Sequence, residues 1–485
     1  MNTVRLEKGI INQMLPFRLA SGYLVNSSDF DNNVWTKTDE DLSKLDFLLE
    51  HVKNFFSRNT QTGKDDESSC IIMKLKKDAV PVKMFNNRTY WLSNRPFDNQ
   101  DNAKNLLKFA ICFDPDSFRI ILHPYTKVAI LLFSVEMSKS AKNIEPTSLA
   151  DFIKMNYLLR LFNRHNEAYF ISQNERVEER SKAAQLLIDS SSDLFNKTDP
   201  GNVETTGWRL RQLINYLLHS LNEKFKVELF DSNRFTPVCY VQPAEEITKD
   251  EIISHALFYL RKVYDFDYTP TIESLHQEKE LIHPFKQIYY ATSLEGAVVL
   301  NNCSSSDPEF IRAFYTNSFQ KSVWLYILGV LQRTIFLQLL KEVSDINPED
   351  HQMIKEYLTR FTSISLKAIF SKVSVYHQHN DYYELIIQNL QINELGSELK
   401  DELYGLNNLQ RQFHEDEVEK NEEIEKQYDK RLNIILFALS IFGLTELIYR
   451  VIENEDMSLF QHSLAFAIPL ILGFVFWRLL ALRKK

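Results

Sequence analysis

The feature that most constrains this chain lies at its C-terminal end. There LNIILFALSIFGLTELIY (Leu432 to Tyr449) and LAFAIPLILGFVFWRLLAL (Leu464 to Leu482) follow one another. Each is close to the roughly 20 apolar residues that a helix needs to cross a bilayer of about 30 Å. Both are apolar around most of their circumference, unlike a helix that rests one face on a soluble core. The pair therefore reads as a two-span hairpin. Lys426, Lys430 and Arg431 precede the first segment, and Arg483, Lys484 and Lys485 follow the second. The loop between sets Arg450 against Glu453, Glu455 and Asp456. Basic residues stay on the cytoplasmic side, so both termini are expected there and the acidic loop outside.

Glu446 sits inside the first apolar segment, where a carboxylate is costly and points to a polar path or to headgroup water nearby. At 100° per residue, Asn433, Phe437, Ser440, Leu444, Leu447 and Val451 share one face of that segment, and Glu446 lies off it. If this face lines a pore, Glu446 belongs to the mouth or to a helix interface. Glu453, Glu455 and Asp456 then complete an acidic outer vestibule.

Upstream of the first span, Leu395, Leu399, Leu403, Leu406, Leu409 and Phe413 recur at spacings of three and four, which predicts an amphipathic helix. It is expected to run unbroken from Asp381 to Tyr449, approaching roughly 100 Å at ~1.5 Å per residue. NPED (Asn347 to Asp350) predicts the start of another helix, capped by Asn347 and reaching about Val375. YHQHNDYY then reads as a turn, and its His377 and His379 as turn residues rather than metal ligands. The apolar run Val323 to Leu340 is interrupted by Gln332, Arg333 and Gln338, so it reads as a buried helix rather than a third span.

The rest of the chain reads as mixed α and β. FAICF, FRIILHP and KVAILLFSVEM, separated by DPDS and YT, suggest an antiparallel meander; SCIIMKLK, VPVKMF, TYWLS and FTPVCYVQP add candidate strands. LSKLDFLLEHVKNFF, SLADFIKMNYLLRLFNRH, GWRLRQLINYLLHSLNEKF and KDEIISHALFYLRKVY have helical spacing. Asn174 to Gly207 reads as a polar insertion. The expected division is an α+β cytoplasmic domain over 1–320, a helical layer with a long stalk helix over 321–431, and the two C-terminal transmembrane helices over 432–485.

A net charge of -9 argues against direct nucleic-acid binding. The four cysteines lie far apart and write neither a disulfide framework nor a zinc site. SRNTQTGKD lacks the first glycine and the closing Ser or Thr of a phosphate loop, and no GxGxxG, GxSxG or HExxH occurs. The chain therefore reads as a non-enzyme without a resident cofactor. TGWRLRQ places Trp208, Arg209 and Arg211 at a predicted helix start, chemistry suited to the base and phosphate of a small nucleotide.

This order of parts (α+β domain, long helix flowing into a first span, short outer loop, second span, basic tail) resembles the CorA family of divalent-cation channels. The Gly-Met-Asn motif of that family is absent; Tyr449-Arg450-Val451 and Ile452-Glu453-Asn454 stand in its place. The resemblance implies a CorA-like funnel, a homopentamer in the bacterial inner membrane that passes cations, with the first span lining the pore. The missing motif and enlarged N-terminal part are similar to the divergent CorA proteins of type III CRISPR systems. That likeness implies an antiphage effector opened by a nucleotide second messenger, a conjugate of S-adenosylmethionine and AMP. The alternatives are a divalent metal transporter and a non-conducting membrane-anchored sensor or scaffold.

Overall fold

The structure, a computed structural model, describes residues 1–20, 27–38, 44–56, 69–79, 89–93, 108–137, 147–160, 169–172, 208–230, 234–275, 278–303, 313–347 and 350–452, with isolated positions elsewhere. The chain divides into two units, one of residues 1–347 with 352–404 and one of 348–351 with 405–485.

The first unit is built on one mixed sheet, which among the described residues has 13 strands. They are β1 (Leu6–Ala20), β2 (Trp35–Lys37), β3 (Ile71–Leu75), β4 (Thr89–Ser93), β5 (Lys108–His123), β6 (Val128–Met137), β7 (Tyr169–Ser172), β8 (Trp208–Arg209), β9 (Lys226–Leu229), β10 (Thr236–Pro243), β11 (Leu281–Phe285), β12 (Ile288–Thr292) and β13 (Ala297–Asn301). Their order is β11-β12-β13-β10-β1-β6-β5-β4-β7-β8, with β2 and β3 joined through β5 and β9 beside β1. β10 and β13 run parallel and β1, β5 and β6 antiparallel.

The central strand β1 is hidden from a period-2 reading because both of its faces are covered, so residues 9–15 are buried without alternation. It also contains a proline, which removes a ladder donor. Pro16 falls where β1 changes partner on one side: Met14 is opposite Thr236 of β10, and Phe17 opposite Leu229 of β9.

Helices cover the sheet. On one face α2 (Leu149–Arg160), α3 (Leu210–Lys224) and α4 (Asp250–Lys262) bury leucines and aromatics against Ile11, Leu15 and Phe17 of β1. α2 starts with a reciprocal cap: the Asp151 N–H donates to Ser148 Oγ and the Ser148 N–H donates to Asp151 Oδ2, each at 3.2 Å. Strand residues of opposite parity, such as Asn12, face the other way, toward α5 (Gln320–Ser344). α1 (Glu50–Phe56), α6 (His351–Ala368) and α7 (His377–Asn389) complete the unit. α8 (Ile392–Ile452) begins in it and carries 61 residues in one helix.

Several expectations are corrected. LSKLDFLLEHVKNFF is α-helical only over Glu50–Phe56. Of VPVKMF the described residues are Val82 and Phe85, and both are helical rather than extended. FAICF and FRIILHP are one strand, β5, because DPDS is a bulge within it. α6 ends at Ala368, short of Val375. YHQHNDYY is a helix start: Tyr376 caps α7, and Asn380 Oδ1 accepts the N–H groups of Val373 and Ser374 at 2.9 and 3.0 Å. The expected unbroken helix from Asp381 is two helices, broken at Gln391 with φ 56. There the N–H of Leu390 closes on Ile386 O at 2.8 Å, and α8 restarts with Leu395 N–H on Gln391 O at 3.0 Å. The polar insertion from 174 to 207 lies outside the described residues apart from its flanks.

Among the described residues one helix is long and apolar enough to cross a membrane, Tyr315–Ser344, and 83% of its most apolar window is buried in the protein. It is a core helix, and the polar residues that interrupt it have partners. Gln332 bonds the Tyr383 hydroxyl at 2.8 Å, Arg333 donates to Leu390 O at 2.6 Å, and Gln338 Oε1 accepts from Arg18 at 3.0 Å. The first expected span, Leu432 to Tyr449, is helical throughout as the end of α8. The second, Leu464 to Leu482, lies largely outside the described residues.

Candidate functional site

The DPDS segment builds one wall of a cleft in the first unit. β5 and β6 pair in register as far as Asp114 with Ser134, and resume at Arg119 with Leu132. Residues 115–118 thus stand opposite Phe133 alone, and Pro115 contributes no N–H to a ladder there. Local bonds fix the bulge: the Asp116 N–H donates to Asp114 Oδ1 at 3.0 Å and the Ser117 hydroxyl to Asp114 O at 2.6 Å. The Ser134 N–H donates to Ser117 Oγ at 2.7 Å. The Arg119 guanidinium donates to the carbonyls of Asp116 and Phe118, the second at 3.1 Å.

The opposite wall is a second irregularity. α5 is entered through a π-helical turn, Tyr315–Phe319, whose wider winding turns Tyr315 and Phe319 toward the sheet. Bulges and π turns both gather at sites where side chains must be re-aimed, and here they face one another across a cleft of about 360 Å³. That volume lies in the range of about 300–1,000 Å³ usual for small-molecule sites.

The lining has three kinds of chemistry. Lys44, Lys74 and Arg119 supply positive charge, and Asp114 and Asp116 negative charge. Trp324, Tyr315 and Phe319 supply aromatic surface, with Val323, Leu132 and Ile327 beside it. Asn12, Ser134 and Gln320 supply neutral hydrogen-bonding groups. Tyr315 stacks on Phe319 at 5.6 Å, Tyr240 edges Tyr315 at 5.3 Å, and the Lys8 ammonium lies 3.7 Å over the Tyr315 ring. Behind this pair the Tyr240 hydroxyl donates to Gln242 at 3.1 Å and accepts from Asn301 at 3.2 Å. Burial raises the Tyr240 phenol to about 12, so it stays neutral.

The two carboxylates are pushed in opposite directions. The hydrogen bond from Lys74, at 3.1 Å, is the chief cause that holds Asp116 below the usual carboxylate range. Burial raises Asp114, partly offset by the Asp116 N–H. The cleft therefore places aromatic and aliphatic groups beside cations that can hold an anionic group.

α5 connects this cleft to the start of α8. Gly329 lies so close to α7 that an added Cβ would stand 2.3 Å from Ile386 Cγ2. Four residues on, Arg333 holds Leu390 O at the α7–α8 joint. His379 of α7 is buried, with Nδ1 3.2 Å from Ser374 Oγ, and burial lowers it to about 4, helped by the Lys321 charge. No group of three metal-ligating side chains occurs among the described residues.

The residues singled out from sequence fall elsewhere. Trp208 and Arg209 form β8, paired with Phe170 and Tyr169 of β7, so they precede the helix that starts at Leu210. Arg211 is on α3 and only 9% exposed. Arg211 is not among the described residues that line the cleft. Because α8 is unbroken through Ile452, Asn433, Phe437, Ser440, Leu444, Leu447 and Val451 do share one face. Asn433 and Ser440 are exposed and Phe437 and Leu444 half-buried; the Ser440 hydroxyl turns back to Leu436 O at 2.8 Å. Glu446 pairs with Arg450 one turn on, at 2.9 Å. Glu453, Glu455 and Asp456 lie outside the described residues. The cleft itself escapes sequence reading because it joins β1, β3, β5, β6 and α5; DPDS, an acidic pair around a proline inside an apolar run, was its one local signal. No family model, curated protein or solved structure matches the chain.

Proposed function

We propose that the chain is a subunit of a CorA-like membrane cation channel, opened by a small nucleotide that binds in the Asp116–Trp324 cleft. One observation carries the reading: a single helix of 61 residues starts at a joint held by the cleft helix α5 and ends in an apolar segment whose side chains are exposed. Leu432, Ile434, Ile435, Leu436 and Leu439 are each more than half exposed, as suits a lipid or a partner helix rather than water. The second apolar segment completes the hairpin, and the acidic residues from Glu453 to Asp456 give the mouth its attraction for cations.

A closed ring of copies is part of the proposal, since a two-span hairpin alone encloses no water path. Support comes from one face of α8. Leu399 and Leu403 on it are buried, and at 100° per residue Phe413, Ile424, Tyr428, Ile435 and Leu439 continue it exposed, ready for the same helix of another copy. The ligand opens the path by binding the open arrangement better than the closed one.

The test is ion flux through the full-length protein in liposomes, with and without AMP, ATP and S-adenosylmethionine, for the wild type and a Glu453→Gln, Glu455→Gln, Asp456→Asn variant. Ligand-dependent flux that falls in the variant is the expected result. Flux that needs no ligand and is blocked by magnesium replaces the reading with a metal transporter, and no flux under any condition replaces it with an anchored sensor.

A further inference from the structure

One cation of the cleft, Lys74, already holds an anion, and that anion belongs to the chain. Lys74 is rooted in β3 with its side chain 18% exposed, whereas Asp116, its partner at 3.1 Å, is 71% exposed on the rim of the bulge. The cation is part of the wall and the carboxylate reaches in from outside. We infer that Asp116 is an internal stand-in for the anionic group of the cleft's ligand, displaced when the ligand binds, and that it thereby sets which ligands the cleft accepts. The inference rests on the nucleotide-binding reading above and specifies its anionic subsite.

Three features make the exchange feasible. The backbone of the bulge stays fixed without the Asp116 side chain, because Asp114 receives the Asp116 N–H, and Ser117 and Arg119 hold the carbonyls of residues 114, 116 and 118. Lys77 and Arg119 add to the positive field that Lys74 sets up around Asp116, so the place of its carboxylate suits a negative group whatever its source. With Asp116 71% exposed, the pair is a surface one worth about 0–1 kcal/mol, so its loss is a low barrier to a better ligand. A phosphate brings up to two charges and several acceptor oxygens to the same cations, and exceeds what one carboxylate provides. Trp324 and Tyr315 line the far wall, Trp324 with 8% of its surface exposed.

The chemistry therefore selects a phosphate-bearing ring compound over its uncharged counterpart, by more than charge-neutral packing would. Asp114 lines the same cleft but has a different part: its carboxylate accepts the Asp116 N–H and belongs to the scaffold of the bulge.

Calorimetric titration of the full-length protein in detergent with AMP, ATP and adenosine tests this, for wild type, Asp116→Asn, Lys74→Met and the double variant. Asp116→Asn is expected to tighten AMP and ATP roughly 3- to 5-fold, the worth of one exposed pair, and to leave adenosine unchanged. Lys74→Met is expected to weaken both phosphates and to abolish the effect of Asp116→Asn in the double variant. If the wild type binds AMP or ATP but Asp116→Asn binds them no tighter, the inference fails and the nucleotide reading stands. Equal tightening of adenosine also overturns it, since Asp116 would then act by shape. If neither the wild type nor Asp116→Asn binds any of the three, the nucleotide reading and the inference fall together.

Discussion

Two apolar helical segments of this chain, α5 and the end of α8, have opposite surroundings. In α5 Leu325, Ile327, Leu328 and Leu331 are fully buried, and each polar interruption has a partner on a neighbouring element. In the last turns of α8 Leu432, Leu436 and Leu439 are more than half exposed, and the one acid, Glu446, finds its partner on its own helix. Length and hydropathy alone rank α5 as the better membrane helix. What separates them is where their polar groups are satisfied: those of α5 meet groups of other elements, whereas Glu446 of α8 pairs within its own helix.

Leu328→Ala in α5 is expected to cost about 2–5 kcal/mol, and Leu436→Ala in α8 less than about 0.5 kcal/mol, by thermal unfolding of the full-length protein in detergent. Equal losses would mean that α8 is as enclosed as α5.

The next effect is on pH. His379 titrates at about 4 in the folded protein against an ordinary 6.5. The unfolded chain therefore binds a proton that the folded chain refuses. Its contribution is present above pH 6.5 and is lost as pH falls toward 4, by about 2–3 kcal/mol. His379→Gln should flatten the fall of stability between pH 6.5 and 4; an unchanged slope would show that the helical layer opens to water around this ring.

Arg333→Met should cost about 1–3 kcal/mol, because Leu390 O would lose a charged donor at the α7–α8 joint. Faster amide hydrogen exchange confined to residues around Gln391 is the accompanying signature. Glu446→Gln, at the far end of the same helix, should change thermal stability by no more than about 0.5 kcal/mol, since the Arg450 pair is exposed.

Much of the architecture was legible because periodicity survives where one face of an element is buried. α3 and α4 follow from spacing, whereas β10, buried from Pro237 to Pro243, was legible only as an apolar run, and Val323 to Leu340 as a run interrupted by polar residues. β1 was lost for the opposite reason, since a strand covered on both faces shows no alternation. β13, buried at every position, hides in the same way. The break at Gln391 carries no glycine or proline to announce it; tertiary contacts hold it, Arg333 on Leu390 O and Asn389 on Thr292 and Lys279 O. The cleft was not legible. Asn12, Lys74, Asp116, Ser134 and Trp324 are brought together only by the order of strands in the sheet.

The left-handed residue at Gln391 has a mechanical corollary. The helix that follows it carries 61 residues, roughly 90 Å at ~1.5 Å per residue. Its first turns are anchored in the first unit by Ile392, Leu399 and Leu403, all buried, so the turn at Gln391 fixes the direction in which the helix leaves α7.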